Sequence, residues 1–262
     1  MLPAAIFGLI VGAVLGVLGA GGSILTVPAL VFGVGMPFST AVPTSLVVVA
    51  VSALGGLAAR WRTGAVRWPV ALVFSAGGVP AAFAGATLGR LIPERWALLA
   101  FSVLMAVAAI RMLTAPAESG SACRTRGGAV DWRGCLPKAL AAGAAVGALT
   151  GLFGVGGGFI VVPVLTVLLG LTAPEAVATS LVVITITALA GLTAHATTAP
   201  SLDLGITTIF AGAALVAAVI TGRLAHRLPA DTVRRVFAWT VLIIAVGTAT
   251  SAALFPSALH AT

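Results

Sequence analysis

The chain has 262 residues, 60% of them hydrophobic and only 8% charged, with a mean hydropathy of +1.19. An average soluble domain carries roughly 25% charged residues, so this chain could not cover its own surface in water; a soluble enzyme or a disordered chain is excluded. Its net charge of +8 sits between apolar runs, where bases orient a protein against lipid and do not suggest nucleic acid.

Taken in chain order, the first element is a Gly-rich apolar segment from about Pro3 to Gly35, interrupted near its middle by Gly19-Ala-Gly-Gly22. Its start lacks basic residues and its apolar run is too long for a signal-peptide core, so it is read as part of the membrane domain. Three ordinary membrane-length spans follow, at roughly Val42–Ala59, Trp68–Gly89 and Trp96–Leu113. Within the second of them, Gly77-Gly78 with Pro80 reads as a kink. A polar stretch from about Pro116 to Pro137 carries Ser, Gly and Arg and both cysteines, Cys123 and Cys135. The cysteine spacing fits no zinc or redox motif, so two free thiols are expected. Then the order restarts: a Gly-rich segment from about Leu136 to Gly170, broken by Gly154-Val-Gly-Gly-Gly158, and spans near Ala176–Ala194, Leu204–Gly222 and Val236–Phe255.

The restart is a duplication. Residues 11–57 align without a gap on residues 146–192, with 22 identities in 47 positions. Pro28 falls on Pro163, and Thr44-Ser-Leu-Val-Val48 falls on Thr179-Ser-Leu-Val-Val183. The expected organisation is a first membrane repeat over 1–115, a cytoplasmic linker over 116–136 and a second membrane repeat over 137–262.

Charge selects the topology. If each Gly-rich segment crosses the membrane once, the fourteen bases divide 8 to 6 between the two faces, which orients nothing. If each is a helical hairpin that returns to its own face, one face collects 12 bases and only Arg90 and Arg95 stay opposite. The 12-to-2 division favours the hairpin. Each half then crosses an odd number of times, and the halves are inverted. The expected fold is an all-α polytopic membrane protein of two inverted repeats, each a re-entrant Gly-rich hairpin plus three transmembrane helices, with both termini outside.

A Gly-rich break at membrane depth survives only inside protein or beside water. It leaves a half-helix N-terminus, with free N–H groups and a positive dipole end, facing the interior. A pair of such breaks suggests a transporter with its site at the midplane. No Asp or Glu lies well inside an expected span; the interior offers N–H groups and hydroxyls, which suit a small oxyanion. The candidate substrate contacts are Gly19, Gly21, Gly22, Ser23, Thr44 and Ser45 in the first half. Gly154, Gly156, Gly157, Gly158, Thr179 and Ser180 are their counterparts in the second. His195 is the candidate for proton coupling, because its pKa lies in the working range. Gly8, Gly12, Gly16, Gly143, Gly147 and Gly151, at four-residue spacing, read as packing positions. Pro28 and Pro163 read as kinks in the second legs.

The duplicated Gly-x-Gly-Gly hairpin, the following Pro, the Thr-Ser before the next span and the His195 segment together resemble the sulfite exporter TauE/SafE family. The resemblance covers essentially the whole chain. It implies an inner-membrane carrier for sulfite, thiosulfate or small organosulfonates, without cofactor or metal. The chain departs from the usual shape in having Ser23 where the second half has Gly158, and Arg60 opposite His195. A channel-like anion facilitator needs the same features as a carrier, and the residues do not separate the two. A transition-metal permease would want buried Cys, Met and His ligands, which are sparse. A membrane-embedded enzyme would want an intramembrane catalytic constellation, and none is visible. The expected partners are a small anion and the lipid bilayer; oligomeric state is left open.

Overall fold

The computed structural model of the protein describes residues 2–18, 23–60, 64–114, 132–155, 158–196, 203–224 and 230–254. The described elements are helical throughout, and five of them are long and apolar enough to cross a membrane. The first half holds α1 (Leu2–Leu18), α2 (Ser23–Pro28), α3 (Phe38–Arg60), α4 (Trp68–Gly89) and α5 (Glu94–Thr114). The second holds α6 (Trp132–Phe153), α7 (Gly158–Leu169), α8 (Ala173–Ala196), α9 (Leu204–Leu224) and α10 (Ala230–Leu254). Helix α6 starts at Trp132, ahead of the expected boundary at 137, and takes Pro137 inside it.

The second Gly-rich segment is interrupted where the sequence places the interruption, α6 ending at Phe153; in the first, α1 is described to Leu18 and α2 from Ser23, and the glycine cluster between them lies outside the described residues. The return legs close in the same way. After Pro28 the first leg widens into a π-helical stretch, Ala29–Val34. It ends on Gly35 (φ +80°), with the Met36 N–H donating to the Leu30 carbonyl. The second leg ends on Gly170 (φ +65°), with Leu171 N–H donating to the Leu165 carbonyl. In both, the N–H that follows a left-handed glycine reaches a carbonyl six residues back, and the two closures are 135 residues apart, as in the sequence repeat.

The directions of the helices follow from their contacts. Gly8, Gly12 and Gly16 of α1 face Phe210, Ala214 and Ala218 of α9 in ascending order, so α1 and α9 are parallel. Gly143, Gly147 and Gly151 of α6 face Phe74, Gly78 and Ala82 of α4 in the same sense. Gly55 lies by Leu215 and Gly222 by Arg60, so α3 is parallel to α9 and hence to α1. Two successive helices can be parallel only if the chain returns between them, and Gly33 of the return leg indeed lies against the Phe7 ring of α1. The first Gly-rich segment is therefore a hairpin. Leu46 beside Gly191 and Gly56 beside Leu181 make α3 antiparallel to its counterpart α8.

The halves interlock by exchange. Helix α1 packs on α9 and, correspondingly, α6 on α4; α3 meets α9 as α8 meets α4; α3–α8 and α5–α10 pair across the centre. At the α1–α9 and α4–α6 seams the glycines serve as packing positions, as their spacing suggests. A Cβ on Gly12 would run into the Ala214 carbonyl, and one on Gly147 into the Gly78 backbone. Gly77 and Gly78 belong to the same seam: α4 runs through them and Pro80 as one helix, and both glycines lie against α6, so close approach accounts for them.

Helices α3 and α8 are the most enclosed spans. Outward-facing Leu72, Val103, Ile243 and Val246 are exposed, as lipid-facing positions of a membrane bundle are. Trp68 and Trp96 are exposed near helix ends, where tryptophan anchors to the interface. The expectation of two free thiols is overturned: buried Cys135 is disulfide-bonded, and no free cysteine occurs among the described residues. Cys123, the only other cysteine in the chain, lies outside the described residues.

Candidate functional site

Of the expected contacts, Gly19, Gly21, Gly22, Gly156 and Gly157 lie outside the described residues. The flanking positions are defined. Ser23 opens α2 and is fully buried; Gly158 opens α7 and is buried. Gly154 terminates α6 in a left-handed conformation (φ +69°), its N–H donating to the Thr150 carbonyl at 2.9 Å. Glycine is needed there twice over. An L side chain is strained at that φ, and a Cβ would lie 2.7 Å from Ser45 Oγ and 2.8 Å from the Val42 carbonyl oxygen.

Ser45 carries the connection between halves. Its hydroxyl is within 2.5 Å of the Gly154 carbonyl oxygen and 2.7 Å of the Val42 carbonyl oxygen, with one proton to give to the pair. The Thr-Ser pair of the first half therefore holds the glycine break of the second. Phe153, the last residue of α6, packs on Phe101 of α5 with ring centroids 5.5 Å apart, bracing the same corner.

Thr44 and Thr179 occupy equivalent repeat positions and are both fully buried, but their hydroxyls differ. Thr179 Oγ1 accepts the Arg67 backbone N–H at 3.0 Å, whereas Thr44 Oγ1 has no hydrogen-bond partner. Ser180 donates to its own helix at Val177. The antiparallel register of α3 and α8 places Thr44 and Thr179 about 20 Å apart along the bundle at 1.5 Å per residue. The four hydroxyl residues thus do not converge on one midplane cluster. Thr44 and Ser45 sit with the second break, and Thr179 and Ser180 stand towards the opposite end.

The end of the first hairpin leg is fastened differently. Arg60 Nη2 donates to the Gly16 carbonyl oxygen at 2.7 Å, in the last turn of α1, where unpaired carbonyls and the negative dipole end attract a cation. Gly222 leaves room for the guanidinium, since a Cβ there would lie 3.1 Å from Arg60 Nη1. His195, opposite Arg60 in the repeat, keeps to its own helix, with Nδ1 2.9 Å from the Gly191 carbonyl oxygen. Its end of α8 is tied to α4 by Arg90, whose Nη2 donates to the Ala194 carbonyl at 2.6 Å. The register that sets Leu46 beside Gly191 brings His195 level with Val42, at the Thr44–Ser45 end of the bundle, though among the described residues it forms no hydrogen bond to either hydroxyl.

Sequence reasoning missed two further sets of residues. Thr26, Ser52, Ser75 and Thr207 are buried hydroxyls without a hydrogen-bond partner, beside Thr44. Most other buried Ser and Thr here bond to a carbonyl three or four residues back, as Thr150, Thr185 and Thr187 do. The second set is Arg67 with Glu175, an ion pair at 2.5 Å. Thr172-x-x-Glu175 before an apolar run carried a sequence signal for it, that of a capping box. No group of three or more His, Cys, Asp or Glu able to hold a metal occurs among the described residues.

What these contacts define is a polytopic all-α membrane protein whose two half-chains lock into each other. The family model of the sulfite exporter TauE/SafE matches residues 4–248, and the chain belongs to that family. A "Probable membrane transporter protein" of Xylella fastidiosa (strain Temecula1) is 37% identical over 176 residues, covering 67% of this chain and 66% of the relative. The match thus spans just under two thirds of that protein's length. The "Probable membrane transporter protein YunE" of Bacillus subtilis is 30% identical over 196 residues, 68% of this chain and 72% of its own. YdhB of the same organism, with the same description, is 25% identical over 181 residues, 67% and 70% of the two chains. No solved structure matches.

Proposed function

We propose that this protein is a secondary membrane transporter for a small oxyanion, in the class of sulfite, thiosulfate or an organosulfonate, working by alternating access between inverted halves in the cell inner membrane. The family relationship supports the transporter; the lining supports the anion. The observation that carries the reading is the hold of Ser45 on the carbonyl of Gly154, across halves, at a helix break inside an apolar bundle. Fixing that carbonyl on α3 leaves the first turn of α7 with its N–H groups uncommitted to helix bonds, which is chemistry for an anion. Thr44, next in the chain and unpaired, supplies a further donor near that break.

The parallel runs of α1, α3 and α9, and the antiparallel relation of α3 to α8, support inverted repeats. In that arrangement Arg60, Arg67, Lys138 and Arg223 fall at one end of the bundle and Arg90, Arg95 and His195 at the other. The first is the face expected towards the cytoplasm. His195 at the opposite mouth is our candidate for proton coupling, and loss of pH dependence of flux in His195→Gln is the corresponding expectation. No catalytic role is part of this reading.

The test is sulfite and thiosulfate flux in proteoliposomes. Gly21→Leu and Gly156→Leu are expected to insert normally and to abolish flux. Normal flux in both variants refutes the role of the breaks. Ohmic, non-saturating currents would replace the carrier by a channel.

A further inference from the structure

The two repeat positions that bear Thr44 and Thr179 are in different states, and the difference has a structural cause confined to one half. Thr179 stands six residues into α8, about 9 Å from its start. The residue that reaches it is Arg67, which immediately precedes α4 and gives its backbone N–H to Thr179 Oγ1. The side chain of the same arginine holds the contact in place. Arg67 Nε and Nη2 both donate to Glu175 Oε1, at 3.0 and 2.5 Å. Glu175 is in turn fixed from behind, because its Oε2 accepts the Thr172 N–H at 3.1 Å in the first turn of α8. A carboxylate there is also favoured by the positive helix end.

The other half cannot build this contact. The repeat places Thr40 where the second half has Glu175, and the segment 196–203, between α8 and α9, contains no Lys or Arg. Thr40 Oγ1 bonds instead to the nearby Pro37 carbonyl. So one end of the bundle carries a latch that ties the α3–α4 connection of the first half to the head of α8. Among the described residues the equivalent end shows no such contact, and there the Thr44 hydroxyl is unpaired.

We infer that Arg67 and Glu175 gate the transport path: their ion pair holds the Arg67 N–H on Thr179, closing the Thr179–Ser180 end while the Thr44–Ser45 end is free to take the anion. This rests on the transport reading above. When the latch opens, Thr179 exchanges an internal donor for the pathway, which is the change an alternating-access cycle requires at that end. Arg67 and Glu175 are positioning residues; neither is assigned to the anion. The pair is partly solvated, with side chains 57% and 18% exposed, so it suits a contact that must break in every cycle.

The experiment reads side-specific access, independently of any substrate. A Ser180→Cys reporter in the full-length protein, in sealed vesicles, is reacted with a membrane-impermeant maleimide supplied at the face bearing the linker. Labelling of the protein without the reporter is subtracted. Arg67→Ala and Glu175→Gln, the latter keeping the cap of α8, are expected to accelerate labelling about fivefold, the scale of an exposed ion pair. The double variant should be no faster than either single one, and Arg67→Lys should stay near the slow rate. An unchanged rate in both single variants, or rates that multiply in the double variant, would overturn the proposal. Should the reporter destabilise the fold, Ala178→Cys supplies the same comparison. If labelling responds as expected while sulfite and thiosulfate flux is absent, the gate stands and the substrate assignment falls.

Discussion

Replacing Gly154 by alanine probes the corner where the two halves meet. The left-handed conformation at φ +69° costs an L residue about 1–2 kcal/mol. The new methyl would also stand 2.7 Å from Ser45 Oγ, 2.8 Å from the Val42 carbonyl oxygen and 2.9 Å from Val42 Cγ1. The Val42 oxygen belongs to the backbone of buried α3 and cannot yield as a side chain could, so overpacking adds about 1–3 kcal/mol. The combined cost is about 2–5 kcal/mol, read as a fall of roughly 5–15 °C in apparent Tm by detergent thermal-shift chromatography. Ser45→Ala alone removes one hydrogen bond, about 0.5–1.5 kcal/mol. Because it also deletes the nearest of the three clashing atoms, the double variant Ser45→Ala/Gly154→Ala should be less destabilised than the two single effects added, by about 0.5–1 kcal/mol. A Gly154→Ala protein with unchanged Tm, or strictly additive effects, would refute the cross-half contact.

Thr44→Val removes a buried hydroxyl that bonds to nothing, so the substrate-free protein should be as stable or about 1–2 kcal/mol more stable. Sulfite binding by calorimetry should weaken roughly five- to tenfold if that hydroxyl donates to the anion; lower stability with unchanged binding would contradict the assignment. At the seams, Gly147→Val would drive a side chain into the Gly78 backbone and should destroy the monodisperse peak on size exclusion. Gly212→Ala has open space around it and should be neutral or about 0.5–1 kcal/mol stabilising.

Much of the architecture was legible because the duplication is strict where geometry is strict. Gly154 at the second break, the left-handed closures at Gly35 and Gly170, and the seam glycines all need a missing Cβ or a positive φ, so composition itself records them. The return of the first hairpin agrees with the charge division, which sorts arginines by face. Depth and partner were not. Nothing in the order of residues says that Ser45 would bond to the other half, or how far apart Thr44 and Thr179 would stand. Both follow from the antiparallel register of α3 against α8, a tertiary choice. The close approach of Gly77 and Gly78 to α6 was not legible, because close packing and kinking draw on the same residues. Cys135 was misread because pairing depends on which chain segments meet, and spacing is silent on that.

That disulfide also sharpens the central claim. Disulfides persist in oxidising compartments, whereas the bases around the linker assign it to the cytoplasm. A pair of compartment-sensitive reporters settles the arrangement, one fused after Thr262 and one inserted in the linker at Gly127. Inverted halves with returning hairpins predict an extracytoplasmic signal from Thr262 and a cytoplasmic signal from the linker. Both reporters on the same side, or Thr262 in the cytoplasm, would contradict the account.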